Sequence, residues 1–347
     1  MDGRDLKCGL EEAVASELWA FELSGEHATL PRSEALALLK VHSSSFKEVC
    51  LLDQCLIVRA PSIDAAALEA RLAMSHRVLR VLAISSCSHS DLSFAASSID
   101  IPRQTYRVRA RSVGRSALSG YDVEVAVGRE LFRRGYRADL SAPCQEIRCI
   151  VSQGLVVLGV EVARPDRSGF EGRRPHLKPF FYPGVLMPRM ARALVNLTCV
   201  RPGERLLDPF SGTAGILVEA GLIGTRCVGL DVQMKIVRGS LANIDGIECS
   251  LLAGDARRLP FRDASVQAVV TDPPYGRSAA IRAASRDELL ARSFEEMARV
   301  LQPGRRAVVV ADHPIDDLLA SAGFLQREIH SERVHRSLTR RIYISEI

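Results

Sequence analysis

No apolar run in this 347-residue chain reaches the roughly 18 to 20 residues that a membrane-crossing helix needs. Runs such as 307–311 meet charged residues within a few positions, and no membrane association is expected. The opening stretch, MDGRDLKCGLEEAVASELWAFEL, mixes charges and holds no uninterrupted apolar segment, so secretion is not expected and the cytoplasm is. Proline is too sparse, at 16 residues, for a collagenous chain. The nine cysteines (Cys8, Cys50, Cys55, Cys87, Cys144, Cys149, Cys199, Cys227 and Cys249) are odd in number. They include no Cys-x-x-Cys pair and have no histidine at finger spacing, so we expect reduced thiols and no metal site. What the chain does have is a globular composition, 47% hydrophobic and 25% charged, with mean hydropathy +0.06. Its length suits two or three domains of about 100–200 residues each.

The net charge of +5 is unevenly spread. The first hundred residues are net acidic, whereas 101–178 are strongly basic and rich in arginine: Arg103, Arg107, Arg109, Arg111, Arg115, Arg129, Arg133, Arg134 and Arg137. Planar guanidinium groups suit phosphate oxygens, although a solvated face would give the same count.

Periodicity divides the chain. In the first hundred residues Arg32 to Lys40 and Ile63 to His76 read as amphipathic helices, Glu48 to Val58 and Val78 to Ser85 as buried strands, and Ser88 to Ser98 as a Ser/Ala-rich boundary. Then come a strand (TYRVRARSV), a capped helix (Ser119 to Arg134) and a hairpin turning at Gln153-Gly154. After a Pro- and Arg-containing stretch, strands and helices alternate at short intervals from about 187 onward: strands at Arg205 to Asp208, Cys227 to Asp231, Ser250 to Ala253, Val266 to Thr271 and Ala307 to Ala311, separated by helices where length allows. That alternation predicts a doubly wound, mostly parallel α/β sheet, which binds ligands beyond the strands' C-terminal ends.

Chemistry gathers at those ends. Asp208 closes the first strand and runs into PFSGTAG, which places Ser211, Gly212, Thr213 and Gly215 in the turn before a helix, where small residues let a ligand approach the backbone. Asp231, ending the next strand, is placed to accept from ribose hydroxyls, and Asp255 follows the third strand. The turn lacks both GxGxxG and GK[ST], which disfavours NAD and ATP. The fourth strand ends in Asp272, Pro273, Pro274 and Tyr275. A carboxylate beside a proline carbonyl can receive both protons of a planar –NH2 group and aim its lone pair, and an adjacent ring can stack on an extruded base.

DPFSGTAG followed by DPPYG resembles the class I S-adenosylmethionine-dependent methyltransferases that modify exocyclic amino groups. GRRPHLKPFFYPGVLMPRMARALVNL (172–197) resembles the motif preceding the sheet in the archaeal tRNA (guanine(10)-N2)-dimethyltransferase family, and Leu338-Thr339-Arg340 matches it too. Residues from about 104 to 162 are similar to the THUMP domain, a tRNA-binding module. The resemblance implies a Rossmann-like class I methyltransferase domain at 187–347, a linker at 161–186, and an α+β ferredoxin-like and THUMP tRNA-binding region at 1–160. It further implies S-adenosylmethionine as cofactor, contacted by Asp208, Ser211, Gly212, Thr213, Gly215, Asp231, Asp255 and Ala256, with Asp272 to Tyr275 holding the guanine. Asp at 272 fits guanine N2 better than adenine N6.

The expected activity is therefore methylation of a tRNA guanosine at N2, once or twice, with position 10 favoured. Arg107, Arg109, Arg111, Arg133 and Arg134 are the candidate tRNA contacts, and a monomer is expected, with room for a small activator protein. Competing readings are a guanosine-6 tRNA methyltransferase, another RNA or DNA amino-methyltransferase, and a non-catalytic tRNA-binding protein. His176, Phe180, Phe181 and Tyr182 read equally as a lid over the cofactor or as packing for the linker. His313 reads as a loop histidine rather than a base.

Overall fold

The computed structural model describes residues 18–274, 285–336 and 338–347. They form two compact units. The first holds the described residues up to Glu26 with His42–Glu69 and Ser75–Pro165; the second holds His27–Val41, Ala70–Met74 and the described residues of Asp166–Ile347. The change of unit at Pro165 falls near the expected linker, but two early segments belong with the second unit, which a single boundary near 160 does not anticipate.

The first unit is built on strands β1 (Leu18–Leu23), β2 (Lys47–Leu52), β3 (Cys55–Arg59), β4 (Ser75–Ser86), β5 (Tyr106–Val113), β6 (Gln145–Ser152) and β7 (Leu155–Ala163). Their order is β2-β3-β1-β4-β7-β6-β5, antiparallel except for the β5–β6 pair. Helix α1 (Leu30–His42) lies almost wholly in the second unit, whereas α2 (Ala65–Arg71), α3 (His89–Ser98) and α4 (Gly120–Arg133) follow in chain order. Ser119 and Asp122 form a reciprocal capping box that starts α4. Val123, Val127 and Leu131, four residues apart, then fall on one buried face against Tyr106, Val108 and Ile147. Burying each such side chain contributes about 1.5–3 kcal/mol before entropy is counted.

Three expectations are corrected here, and one strand has no counterpart among them. The single strand expected over Glu48 to Val58 is the hairpin β2–β3, because Gln54 takes a positive φ of 54° at its turn. The helix expected over Ile63 to His76 stops at Arg71, since Ser75 already pairs in β4. The Ser/Ala-rich boundary at Ser88 to Ser98 is α3, capped by the Ser88 hydroxyl, which accepts from the Asp91 N–H. The inner strand β1, hidden in a stretch with charges on both sides, was assigned to no element.

In the second unit, strands β8 (Arg205–Asp208), β9 (Arg226–Asp231), β10 (Cys249–Ala253), β11 (Val266–Thr271), β12 (Leu301–Ala311), β13 (Leu325–His335) and β14 (Leu338–Glu346) line up as β10-β9-β8-β11-β12-β14-β13. The first five are parallel, and β14 runs antiparallel between β12 and β13. Helices α5 (Pro188–Leu197), α6 (Gly215–Gly221), α7 (Met234–Ser240), α8 (Arg286–Val300) and α9 (Asp316–Ser321) complete it. The sheet is buried on both faces with period-two alternation. Leu206, Ala268, Val270 and Val308 pack in one core with Leu30, Leu194 and Leu217, while Leu207, Val269, Ala307 and Val309 pack in the other with Leu290, Phe294 and Met297. The buried Glu34 on α1 accepts from the N–H groups of Ala73 and Met74 (3.0 and 2.8 Å) and from Asn196 Nδ2 on α5 (2.8 Å). Asn196 Oδ1 in turn accepts from Arg71 Nε at 3.2 Å, so the two early segments are pinned to this unit by buried hydrogen bonds. Among the described residues, no helix is long and apolar enough to cross a membrane.

Candidate active site

Strand order reverses between β8 and β11, because β9 and β10 lie to one side of β8 while β11 and β12 lie to the other. Such a switch point opens a crevice beyond the strand ends. Here it is a cavity of about 210 Å³ whose wall includes Gly212, Asp231, Asp255, Ala256, Asp272 and Pro274. Two motifs some sixty residues apart in sequence thus face one space. Tyr275 lies outside the described residues.

The turn after β8 is shaped by backbone conformation. Gly212 has φ +47° and Ala214 φ +61°, so the chain passes twice through the left-handed region before α6 begins. The Ser211 N–H donates to the Leu230 carbonyl at 2.7 Å and the Ser240 hydroxyl to the Gly212 carbonyl at 2.8 Å, fixing the turn against β9 and α7. Ser211 and Thr213 are buried, and neither they nor Gly215 line the cavity. Within this turn Gly212 lines the wall together with Pro209 and Phe210.

Asp208 is 1% exposed and lies beneath the turn, outside the cavity wall. Its Oδ1 accepts from the Thr271 hydroxyl at 2.8 Å and from the Phe210 N–H at 3.1 Å. Burial pushes its carboxyl up to about 7; those two hydrogen bonds pull the other way, and the nearby charges of Asp272 and Asp231 add to the rise. Asp231 accepts from the Gln233 N–H at 2.8 Å, and its carboxyl is raised by burial against the pull of the Gln233 and Gly212 N–H groups. Asp255 is different. Arg257 grips both its oxygens, with Nη2 at 2.7 Å from Oδ2, and holds the carboxyl below its ordinary range. The neighbouring Ala256 is 4% exposed.

Thr271 and Asp272 follow one another at the end of β11, so the strand turns the threonine toward Asp208 while Asp272 and Pro274 reach the cavity. Pro273 is buried. Sequence reasoning missed Thr271, Arg257 and Asn243, and only Thr271 carried a signal, its place directly before the Asp-Pro-Pro run.

The linker aromatics divide. Phe180 packs against α7, where a Cβ on Gly239 would come within 2.3 Å of its ring, and Asn243 hydrogen-bonds its backbone. Phe181 and Tyr182 are 45% and 40% exposed, and His176 is exposed. For Phe180 the packing reading holds. His313, after β12, lies against Asp312 (3.0 Å) and Arg286 (2.8 Å), a loop cluster outside the cavity wall.

Of the five candidate arginines in the first unit, Arg107 pairs with Glu146 at 2.7 Å, Arg109 with Glu124 at 3.4 Å and Arg111 with Glu22 at 3.1 Å. Arg134 donates to the Ala96 and Ile99 carbonyls at the end of α3. Arg133, with a side chain 68% exposed, lies 3.7 Å from Glu130.

A family model described as an RMKL-like methyltransferase domain matches residues 175–342. The chain is 36% identical over 333 residues to the tRNA (guanine(10)-N2)-dimethyltransferase of Methanothermobacter thermautotrophicus, a match spanning 93% of this chain and 98% of that protein. It is 34% identical over 253 residues to the protein of the same name from Pyrococcus abyssi, spanning 71% of this chain and 75% of that one. Among solved structures it is similar to TrmN from Thermus thermophilus, with a TM-score of 0.54 and 25% identity, covering 95% of this chain and 99% of that one.

Proposed function

The chain belongs to the tRNA (guanine(10)-N2)-dimethyltransferase family, and from that membership we propose that it transfers one or two methyl groups from S-adenosylmethionine to N2 of guanosine 10 in tRNA. The observation that carries the site assignment is that Asp272 and Pro274 share one cavity wall with Gly212, Asp231, Asp255 and Ala256. Acceptor groups and cofactor groups must meet within bonding reach for a direct transfer, and a common cavity meets that requirement.

In this reading Asp231 accepts from the ribose hydroxyls, Gly212 allows close approach of the methionyl end, and Asp255 with Ala256 borders the adenine. Asp208, Ser211, Thr213 and Gly215 serve the cofactor by shaping the turn. The cofactor supplies an electrophilic methyl group on a sulfonium. Asp272 and the Pro273 carbonyl accept the two N2 protons of guanine, which orients the nitrogen lone pair and stabilises the positive charge that builds on it during attack. Tyr275 supplies the stacking ring. Asp272 or water takes the proton released afterwards.

We assign tRNA docking to the first unit, with the chain acting as a monomer in the cytoplasm. Incubation of the full chain with labelled S-adenosylmethionine and unmodified tRNA, followed by nucleoside mass spectrometry and mapping, tests the whole reading. N2-methyl- or N2,N2-dimethylguanosine at position 10 is expected. Product at position 6 would keep the chemistry and overturn the docking. Cofactor binding with no methylated nucleoside would overturn the substrate.

A further inference from the structure

β8 and β11 are neighbouring parallel strands, with Ala268 beside Leu206 and Val269 beside Leu207, so their C-terminal ends emerge together. One of these ends begins the cofactor turn and the other begins the acceptor motif. A side-chain hydrogen bond joins them: the Thr271 hydroxyl, itself fully buried, donates to Asp208 Oδ1 at 2.8 Å. The same oxygen accepts from the Phe210 N–H, the second residue of the turn.

Resting on the function proposed above, we propose that Thr271 is a positioning residue for methyl transfer, holding Asp208 as a carboxylate beneath the cofactor turn and so setting the pH above which the cationic cofactor binds. Besides Asp255, which Arg257 holds, Asp231 and Asp272 face the cavity, and their charges act on the buried Asp208 from the strands on either side of it. A sulfonium and an ammonium entering such a site stabilise the ionised forms. By linkage, a proton on Asp208 then competes with the cofactor. Burial brings that competition to neutral pH, because the Asp208 carboxyl is pushed up to about 7. A hydrogen bond to the charged form opposes the rise, and the hydroxyl is the side-chain donor that supplies it. Valine has nearly the shape of threonine without that donor.

The test is titration calorimetry of S-adenosylmethionine with the full-length protein at a series of pH values from about 5.5 to 9. Affinity of the unaltered chain should fall as pH drops through the neutral range. In Thr271→Val the midpoint should move up by about one to two pH units, with binding near pH 7 weaker by about tenfold or more. Thr271→Ser should restore the original profile, and Asp208→Asn should flatten it so that adding Thr271→Val shifts nothing further. A Thr271→Val profile that overlays the unaltered one overturns the proposal alone. So does an Asp208→Asn protein that keeps the pH dependence, a result available even if the valine variant does not fold. Folded protein that binds no S-adenosylmethionine at any pH overturns the functional reading as well.

Discussion

Asn243 grips the backbone of Phe180 from both sides: its Oδ1 accepts from the Phe180 N–H at 3.1 Å and its Nδ2 donates to the Phe180 carbonyl at 2.8 Å. The same Nδ2 donates to the Thr213 carbonyl at 3.0 Å. One amide thus fastens the linker segment to the turn after β8. Asn243→Ala leaves two carbonyls and an N–H without partners, at a cost of about 1–3 kcal/mol for each group that water cannot reach. We expect a lower melting temperature and a cofactor affinity weakened by about tenfold, measured by calorimetry. Unchanged affinity would mean that the turn keeps its shape without this clamp.

Gly239 tests the other half of the same contact. A methyl group there would sit 2.3 Å from the Phe180 ring, closer than any packed pair tolerates. Gly239→Ala should therefore displace the aromatic linker and cost about 1–3 kcal/mol by overpacking, despite alanine's better helix propensity. If Gly239→Ala raises stability instead, as propensity alone would predict, Phe180 is not seated on α7 in solution.

Much of this site was legible in sequence because chain order dictates it. Strands ending in Asp208, Asp231 and Thr271-Asp272 must place those residues on one edge of a doubly wound sheet, and the cavity wall contains three of the acids expected there, Asp231, Asp255 and Asp272. What sequence could not yield is depth. Asp208 and Asp231 end adjacent strands, yet one is under the turn and the other faces the cavity, a difference decided by the two left-handed residues Gly212 and Ala214. Asn243 was equally opaque, since its partners Phe180 and Thr213 lie 63 and 30 residues away. Strand β1 was missed because alternation cannot reveal a strand whose Glu22 is buried by three arginines drawn from distant segments.

Asp272 is where chemistry separates from binding. Asp272→Ala removes the acceptor proposed to hold guanine N2, while Asp231, Asp255 and Ala256 keep their positions on the cavity wall. Transfer to tRNA should drop by about a hundredfold or more, with cofactor affinity within a few-fold of the unaltered chain. Single-turnover methylation alongside calorimetry separates the two. Loss of cofactor binding of the same size would move Asp272 from the acceptor side to the cofactor side.

Glu22 should make the stability of the first unit sensitive to acid. Its carboxylate is 1% exposed and lies among Arg148 at 2.7 Å, Arg111 at 3.1 Å and Arg77 at 3.6 Å. Burial by itself would raise its pKa, but the hydrogen bonds and charges of these arginines prevail and hold it below the ordinary range. A carboxyl depressed in the folded state contributes stability that is present above its unfolded pKa and lost as pH falls through the folded value. Glu22→Gln strands buried guanidinium charge, and should cost about 3–5 kcal/mol at neutral pH while flattening the loss of stability on acidification. Urea unfolding at pH 7 and at pH 4 measures both.

The arginines of the first unit should divide by what already holds them. Arg107, Arg109 and Arg111 are engaged by Glu146, Glu124 and Glu22, and spending one of them on a phosphate would break that pair. Arg133 is mostly exposed, with one long contact to Glu130 one turn back on α4. An exposed pair of that kind contributes at most about 1 kcal/mol, so Arg133 can turn to a phosphate at little cost. Arg133→Ala should weaken tRNA binding about equally across sequences and reduce the slope of log affinity against log salt by about one. Arg111→Ala should instead lower the stability of the unit with the salt slope unchanged. Filter binding at several salt concentrations, paired with thermal melts, reads both. If Arg111→Ala lowers the slope while the melting temperature holds, the ion pair with Glu22 yields to RNA, and the phosphate surface runs along β5 rather than at the end of α4.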